Sequence, residues 1–278
     1  MTAALLALAA SLAWGAGDFL GGLKSRALPL LTVMAVAQVV GVTWIALVVA
    51  LGGQGWPGAG VLWAAPAALC GTLGLAAFYR GMATGAISIV APLAATGAVI
   101  PVIAGIALGD RPSVVQLLGF PLAIGGAVVA SREPTPGLGQ GRVAAGVPWA
   151  VLAAIGFGLF FLPMHEAGSH DYLWAALVFR SVSCSLVLCA VAVARPRLRV
   201  GRADLGVLAL VGVLDTAGNV FFAASSTHGL VSVVSVLASL YPVVTVALAW
   251  LYLRERLDFS QAAGVAAALA GVVLISAG

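Results

Sequence analysis

An aspartate inside an apolar segment is the first residue that points to chemistry. Asp18 lies in the stretch WGAGDFLGG (14–22), and every other residue from 3 to 22 except Ser11 is apolar or glycine. An ionised carboxylate costs about 2.5–3.5 kcal/mol at the centre of a membrane helix, so an acid in such a place is a candidate functional group. We expect Asp18 to face a cavity and bind a proton or a cationic group, or else to pair with an arginine on another helix.

Four further polar side chains interrupt later apolar segments. Arg180 could bind a substrate carboxylate bidentately, or it could neutralise Asp215 or Asp18. Gln38 lies near the position that matches Arg180 in the second apolar segment. Asp215 and Asn219 are four residues apart, which places them on one face of a helix. We expect both to line a cavity, because acids within the membrane face the interior of a helix bundle.

Aromatic residues accompany these polar groups. Trp14 and Phe19 flank Asp18 and could form cavity walls, although packing against lipid is an equal alternative. Tyr241 precedes Pro242, and a proline inside a helix frees a backbone carbonyl. Broken helices of this kind surround solute sites in membranes, so Trp14 and Tyr241 join the candidate site.

The motifs of catalysis and of cofactor binding are missing from the sequence. HEAGSH places His165 and His170 five residues apart, whereas the zinc motif HExxH needs four. GAGDFLG departs from the dinucleotide fingerprint, and neither G-x-S-x-G nor a P-loop occurs. The three cysteines, Cys70, Cys184 and Cys189, have no metal-site or disulfide spacing. We therefore expect no catalytic residue, no metal, no cofactor and no enzyme activity.

Composition and segment length predict a protein that crosses the membrane several times. The 278 residues are 62% hydrophobic and 8% charged, whereas soluble domains average about 25% charged residues. Ten segments approach the length of about 20 apolar residues that a helix needs to cross a bilayer. They are, roughly, residues 3–22, 29–51, 60–80, 86–108, 114–131, 147–163, 172–194, 205–225, 230–253 and 260–277. The N-terminus lacks the basic region of a signal peptide, so we expect its apolar run to be the first membrane helix.

The two halves of the chain resemble each other. QLLG (116–119) aligns with QAAG (261–264), and AWGAGDF pairs with AIGFGLF, where Leu159 stands in the place of Asp18. The similarity predicts two units of five helices, residues 1–131 and 147–278, joined by the loop 132–146. Because five is odd, the second unit enters the membrane from the opposite side, and such inverted repeats place a binding site near the midplane.

Basic residues lie mainly in the odd-numbered loops between the ten segments. The even-numbered loops contain only Arg111, so the positive-inside rule places the odd loops in the cytoplasm and both termini outside. The net charge of +4 comes from these scattered arginines, which argues against a nucleic-acid partner. Arg80 is expected to snorkel to the interface, and its neighbour Tyr79 is a candidate for the site or for an interfacial aromatic belt.

One long stretch resembles a known family. SLYPVVTVALAWLYLRERLDFSQAAGVAAALAGVVLIS (239–276) is similar to the end of an EamA repeat of the drug/metabolite transporter superfamily. The shared features are the proline Pro242, an apolar helix, an L-x-E-R-L corner (253–257) and a last helix that contains glycine. The first half repeats the pattern more loosely, with LGDRP (108–112) at the corner and Gly97 in the place of the proline. AWG near the start and the dipeptide Phe179-Arg180 are also similar to the family pattern.

The resemblance implies an all-α integral membrane protein whose ten transmembrane helices form two inverted EamA repeats around a central cavity. It implies a multi-pass permease of the inner membrane that moves a small-molecule substrate. Without a P-loop, transport would be driven by gradients, with a proton or cation bound at Asp18 and with Arg180, Asp215 and Asn219 as polar contacts. Proteins of this family are expected to have both termini in the cytoplasm, and against this expectation we give more weight to the charge asymmetry.

Efflux of metabolites such as amino acids, or of toxic compounds, by alternating access is the function that we expect. Uptake is the first alternative, because gradients and not the fold set the direction. A membrane enzyme acting on lipid-linked substrates would instead gather polar residues at one membrane face. A sensor without flux would tolerate replacement of Asp18.

Overall fold

A computed structural model of the chain describes residues 2–100, 113–130, 145–196, 200–228, 240–254 and 258–277, together with Val234, Leu237 and Ala238. Three predicted features lie outside the described residues: the first corner (108–112), the centre of the second corner (255–257) and most of the connecting loop (132–144).

The described residues form helices and connecting turns, with no strand among them. The helices are α1 (Thr2–Ser25), α2 (Leu30–Gly52), α3 (Ala64–Thr84, after a 3-10 turn at Ala59–Trp63), α4 (Ile87–Ala95, continued by a 3-10 turn at Thr96–Ala98), α5 (Val114–Ala130), α6 (Val147–His170), α7 (Tyr172–Ala194), α8 (Arg202–Ser226), α9 (Tyr241–Leu248, continued by a π-helical turn at Ala249–Leu253) and α10 (Phe259–Ala277). A helical element therefore overlaps each of the ten predicted segments, and α6 runs to His170, beyond the predicted end at 163.

Among the described residues, six helices are long and apolar enough to cross a membrane: α1, α2, α3 with its 3-10 turn, α6, α7 and α8. The predicted character of the chain, an all-helical protein with several membrane helices, is confirmed for the described residues. The division into two inverted units of five helices stays a prediction.

The ends of α6, α7 and α9 have local causes. Asp171 separates α6 from α7: its backbone is extended, and its side chain accepts bonds of 2.9 Å from the N–H groups of Leu173 and Trp174. An aspartate in this capping position satisfies N–H groups that a helix start otherwise leaves unpaired. Pro242 lies in the first turn of α9, where a proline is tolerated because that N–H needs no helical partner. Val234, Leu237 and Ala238, before the proline, are helical as well, so the prediction that Pro242 interrupts one helix over 230–253 stays a prediction.

Helices α5 and α10 pack closely through small residues. A Cβ atom placed on Gly126 would lie 2.7 Å from the carbonyl oxygen of Gly264 and would also meet the backbone of Ala268. A Cβ on Gly271 would meet the backbone of Ala123 in the same way. The face of α10 that carries Gly264 and Gly271 thus packs on α5, as expected where close contact between small residues holds membrane helices together.

Replacing Gly126 with alanine is expected to lower the free energy of unfolding, because overpacking costs about 1–3 kcal/mol. Gly125 provides a matched control, since a Cβ there meets no heavy atom within 4 Å. Gly125→Ala should be neutral or should stabilise by up to about 1 kcal/mol through helix propensity. Unfolding in mixed detergent micelles measures both variants, and equal stability of the two would contradict the close approach of α5 and α10.

Candidate functional site

A cavity lies among eight helices and, together with space that opens to the outside, contains about 670 Å³ not occupied by protein atoms. Its walls are formed by α1 to α4 from the first half of the chain and by α6 to α9 from the second half. Its polar lining residues are Asp18, Gln38, Thr72, Arg180, Asp215 and Asn219, and its aromatic ones are Trp14, Phe157, Phe160, Phe161, Phe179 and Tyr241.

Seven of the eight residues singled out from the sequence line this one cavity. They are Trp14, Asp18, Gln38, Arg180, Asp215, Asn219 and Tyr241. Their roles in binding stay predictions, but the structure brings together side chains that are more than 200 positions apart in the chain.

Tyr79, the eighth candidate, is not among the cavity-lining residues. It is 1% exposed, and its ring packs where Gly21 of α1 leaves space for it. An interfacial belt residue faces lipid headgroups, so the prediction of a belt position for Tyr79 is wrong. Phe19 is also absent from the cavity lining, because its ring packs against Tyr252 with centroids 6.1 Å apart. Arg80, in contrast, is exposed at the surface, as predicted.

Arg180 joins three helices. It is 1% exposed, and its Nη1 donates to Asp215 Oδ2 at 2.8 Å and to Gln38 Oε1 at 3.0 Å. Of the two interpretations offered by the sequence, pairing with Asp215 is therefore observed. Gly41 of α2 leaves room for this arrangement, because a Cβ there would meet the hydroxyl of Thr216 and lie 3.4 Å from Arg180 Cδ. The ion pair thus depends on a close approach of α2 to α8.

Trp14 is fixed on several sides. Its Nε1 donates to Asn219 Oδ1 at 3.1 Å, and its ring lies 5.8 Å from that of Phe222 and 6.5 Å from that of Tyr241, between centroids. A Cβ on Gly218 would meet the indole ring, so glycine at that position lets Trp14 lie against α8. A wall of the cavity is therefore held by both a hydrogen bond and ring packing.

Asp18 differs from Asp215 in having no ion-pair or hydrogen-bond partner among the described residues. It is 7% exposed and lines the cavity. Gly15 brings this part of α1 against α9, since a Cβ there would lie 2.6 Å from the carbonyl oxygen of Tyr241 and Thr245 Oγ1 donates to the Gly15 carbonyl at 3.0 Å. The glycines near Asp18 thus serve helix contact, while the carboxylate remains available to a ligand.

The aromatic wall from α6 was missed by the sequence reasoning. Phe157, Phe160 and Phe161 lie at positions i, i+3 and i+4, the spacing of one helix face. This spacing was visible in FGLFF, but it does not separate a cavity face from a lipid-facing one. Leu159, which aligns with Asp18 in the repeat, is 46% exposed and does not line the cavity.

Replacing Asp215 with alanine is expected to lower the free energy of unfolding by about 3–5 kcal/mol, because it leaves Arg180 charged and unpaired in a buried place. The double variant Arg180→Gln, Asp215→Asn removes both charges and should recover most of the loss. Unfolding in mixed detergent micelles gives both values.

Asp204 supplies the control for that measurement. It pairs with Lys24 at 2.6 Å, but both side chains are partly exposed, at 31% and 24%. A pair of this kind contributes about 1 kcal/mol or less, so Asp204→Ala should cost much less than Asp215→Ala. Equal losses would show that burial of the Arg180 pair has no energetic consequence.

Comparison with known proteins agrees with these observations. Residues 144–277 match the model of the EamA-like transporter family. A solved structure, described only as the crystal structure of a protein, is similar over 98% of this chain and 95% of its own, with 16% identity and a TM-score of 0.70, which shows a shared fold. No curated protein matches the chain. The resemblance inferred from the sequence is confirmed over residues 144–277, the part of the chain that matches the EamA-like transporter family.

Proposed function

We propose that this protein is a secondary transporter of the inner membrane that moves a small organic solute by alternating access. One observation carries the proposal: among the described residues, the charged groups that are most deeply buried converge on a cavity built by helices from both halves. In secondary transporters built from repeats, solute and coupling ion bind at the interface between the repeats. We favour efflux, for example of amino acids or toxic compounds, and uptake is the alternative direction.

The two-unit organisation is part of the proposal, and helix packing supports it. The most extensive contacts pair α5 with α10, α3 with α6, α1 with α8, α2 with α7, α2 with α8, α1 with α9, α3 with α7 and α4 with α6, and α4 also packs on α9. If α1 is exchanged with α6, α2 with α7, α3 with α8, α4 with α9 and α5 with α10, the same set of pairs results. Such an exchange is what a pseudo-two-fold axis between residues 1–131 and 147–278 would produce, and it is the arrangement expected of inverted repeats.

Contacts between loops support alternate crossing of the membrane. The end of α1 meets the start of α8 through the Lys24–Asp204 pair, and Arg26 Nε donates to the Met82 carbonyl near the end of α3 at 3.0 Å. On the even-numbered loops, the Trp56 ring lies 5.2 Å from that of Trp174, between centroids. Loops one, three and seven therefore gather on one face, and this face carries Lys24, Arg26 and Arg202. By the positive-inside rule, we propose that this face is cytoplasmic and that both termini are outside.

Cysteine labelling tests this orientation in a variant without the three native cysteines. Trp56→Cys, in an even loop, should react with an impermeant thiol reagent in intact cells. Arg202→Cys, at the start of α8, should react only after the membrane is permeabilised. The reverse pattern would place the termini in the cytoplasm, and labelling of both sites from one side would contradict alternate crossing.

Asp18 is the group proposed to exchange a proton or a cationic ligand. Asp215 already has Arg180 as a partner, so Asp18 is the carboxylate of the cavity that remains unpaired among the described residues. The other charged or ionisable groups near Asp18 are Asp215, Arg180 and Tyr241, which line the cavity, and Tyr79, whose ring packs against Gly21 one turn along α1. Rocking of one unit against the other would expose the cavity to each side in turn, with Asp18 carrying the coupling ion.

Flux of small organic solutes, for example amino acids, into proteoliposomes with and without a pH gradient tests this mechanism. Asp18→Asn should abolish stimulation by the gradient, because the amide cannot exchange a proton. Asp258→Asn is the matched control: Asp258 lies outside the cavity, its Oδ1 accepts from the Ser260 N–H at 3.2 Å at the start of α10, and asparagine caps a helix as well as aspartate does. Gradient-driven flux that survives Asp18→Asn would overturn the role of Asp18.

The position of the polar groups disfavours the enzyme alternative. An enzyme that acts on lipid-linked substrates would hold its polar residues near one membrane face. Arg180 and Asp215 instead lie in the middle turns of α7 and α8. A sensor without flux is tested by the same proteoliposome measurement.

A further inference from the structure

We propose that Phe78 and Phe222 are the two gates of the cavity, and that each closes one end of it by packing on an aromatic residue of the opposite half. This inference rests on the proposed transport function. Neither residue is among those that line the cavity, and both are 0% exposed. Each lies three residues beyond a residue that does line it, Leu75 in α3 and Asn219 in α8. Each is therefore about one helical turn behind the cavity wall.

Phe78 lies near the end of the bundle at which α1 ends. It is about one turn before Met82 in α3, and the Met82 carbonyl accepts a bond of 3.0 Å from Arg26 Nε, just beyond α1. The Phe78 ring packs edge-to-face on that of Phe157, with 5.4 Å between centroids, and on that of Tyr241, with 6.5 Å. Both of these rings line the cavity and belong to the second half. Phe78 thus closes the cavity at this end with a contact between the halves.

Phe222 has the corresponding position at the other end of the bundle. α8 starts beside the end of α1, as the Lys24–Asp204 pair shows, and Phe222 lies about 27 Å beyond Asp204 along the helix axis. The Phe222 ring is 5.8 Å from that of Trp14 and 5.3 Å from that of Phe161, between centroids. Trp14 lines the cavity and belongs to the first half. The closure at this end therefore again joins a phenylalanine of one half to an aromatic residue of the other.

The two contacts are built from one repeated pattern. The sequence G-x-x-x-F occurs at 74–78 in α3 and again at 218–222 in α8. A Cβ on the first glycine would lie 3.1 Å from the ring of Phe157, and a Cβ on the second would meet the ring of Trp14. In each half the glycine leaves space for a ring of the opposite half, and the phenylalanine four residues later packs on that same ring. Ordinary core phenylalanines need not repeat in this way, whereas the two gates of an inverted repeat are expected to.

These contacts are the ones that rocking of the halves would break. Edge-to-face rings attract each other beyond the burial of their area, so each gate stabilises one arrangement of the halves. If the halves part at the end marked by Lys24, Phe78 separates from Phe157. If they part at the other end, Phe222 separates from Trp14. Both contacts are formed in this structure, so opening at either gate requires one of them to break.

Thiol labelling from each face of the membrane tests the two gates. Thr72→Cys places a reporter in the cavity wall, in a variant whose three native cysteines are replaced by serine. Its rate of reaction with an impermeant maleimide is measured in right-side-out and in inside-out vesicles. Trp56→Cys and Arg202→Cys identify which face the reagent reaches in each preparation.

Each gate variant should open the cavity from one face. Phe78→Ala should raise the rate at the reporter at least about tenfold from the Arg202 face, because the variant loses the packing that favours closure there. Phe222→Ala should raise it by a similar factor from the Trp56 face. In each variant the rate from the opposite face should stay unchanged.

Phe221→Ala is the matched control. Phe221 adjoins Phe222 in α8, but its side chain is partly exposed, whereas that of Phe222 is fully buried, and successive residues of a helix do not share a face. The variant should leave the rates from both faces unchanged. Phe78→Leu and Phe222→Leu keep a large apolar side chain in place and serve if the alanine variants fold poorly. Each should raise the rate from its own face by a smaller factor.

Three results would overturn the two gates. They are unchanged rates in the folded alanine or leucine variants, an increase from the same face in both positions, and an equal increase from both faces, which indicates loosened packing and not an opened end. Failure of the transport proposal looks different. One-sided increases without solute flux in proteoliposomes would keep the gates and reject transport. Solute flux, together with gate variants whose labelling rates do not change, would keep transport and reject the gates.

Discussion

The structure depends on the burial of an arginine in the middle of a membrane helix. Arg180 carries a charge that hydrocarbon does not solvate, and it is 1% exposed. It must therefore be surrounded by acceptors from other helices, which Asp215 and Gln38 provide. This requirement ties α7 to α8 and α2 and fixes which of their faces turn inward. The remaining polar residues of the cavity lie on the faces that this pair selects.

Glycine makes that arrangement sterically possible. Gly41 and Gly212 lie where α2 meets α8, and a Cβ on Gly212 would meet the carbonyl of Ala37. Gly74 and Gly156 have the same role where α3 meets α6, with a Cβ on Gly156 only 2.6 Å from Gly74 Cα. Lipid supplies no hydrophobic drive between helices, so close backbone contact becomes a main source of association. The many glycines of the sequence thus let the helices approach closely enough for the few buried charges to be paired.

The sequence was sufficient to find the polar groups of the site and insufficient to pair them. Asp18, Arg180, Asp215 and Asn219 stand out because each is expensive inside an apolar segment, and that cost depends on the residue alone. Which helices are neighbours depends on packing across the whole chain, so the partner of Arg180 stayed open between two aspartates. Tyr79 was predicted at the interface because it lies near the end of a segment, and the sequence does not show which helix packs against it. Its burial depends on space left by a glycine in another helix.

The difference between the two halves decides how a solute can lie in the cavity. α1 contributes Trp14 and Asp18, four residues apart, and α6 contributes Phe157 and Phe161 at the same spacing. The same helical geometry thus presents a carboxylate from one half and a second aromatic ring from the other. With Arg180, Asp215 and Asn219 supplied by α7 and α8, the cavity has a polar part and an aromatic wall. A solute that matched both would keep one orientation while the two halves moved around it, so a symmetric scaffold can still bind an asymmetric molecule.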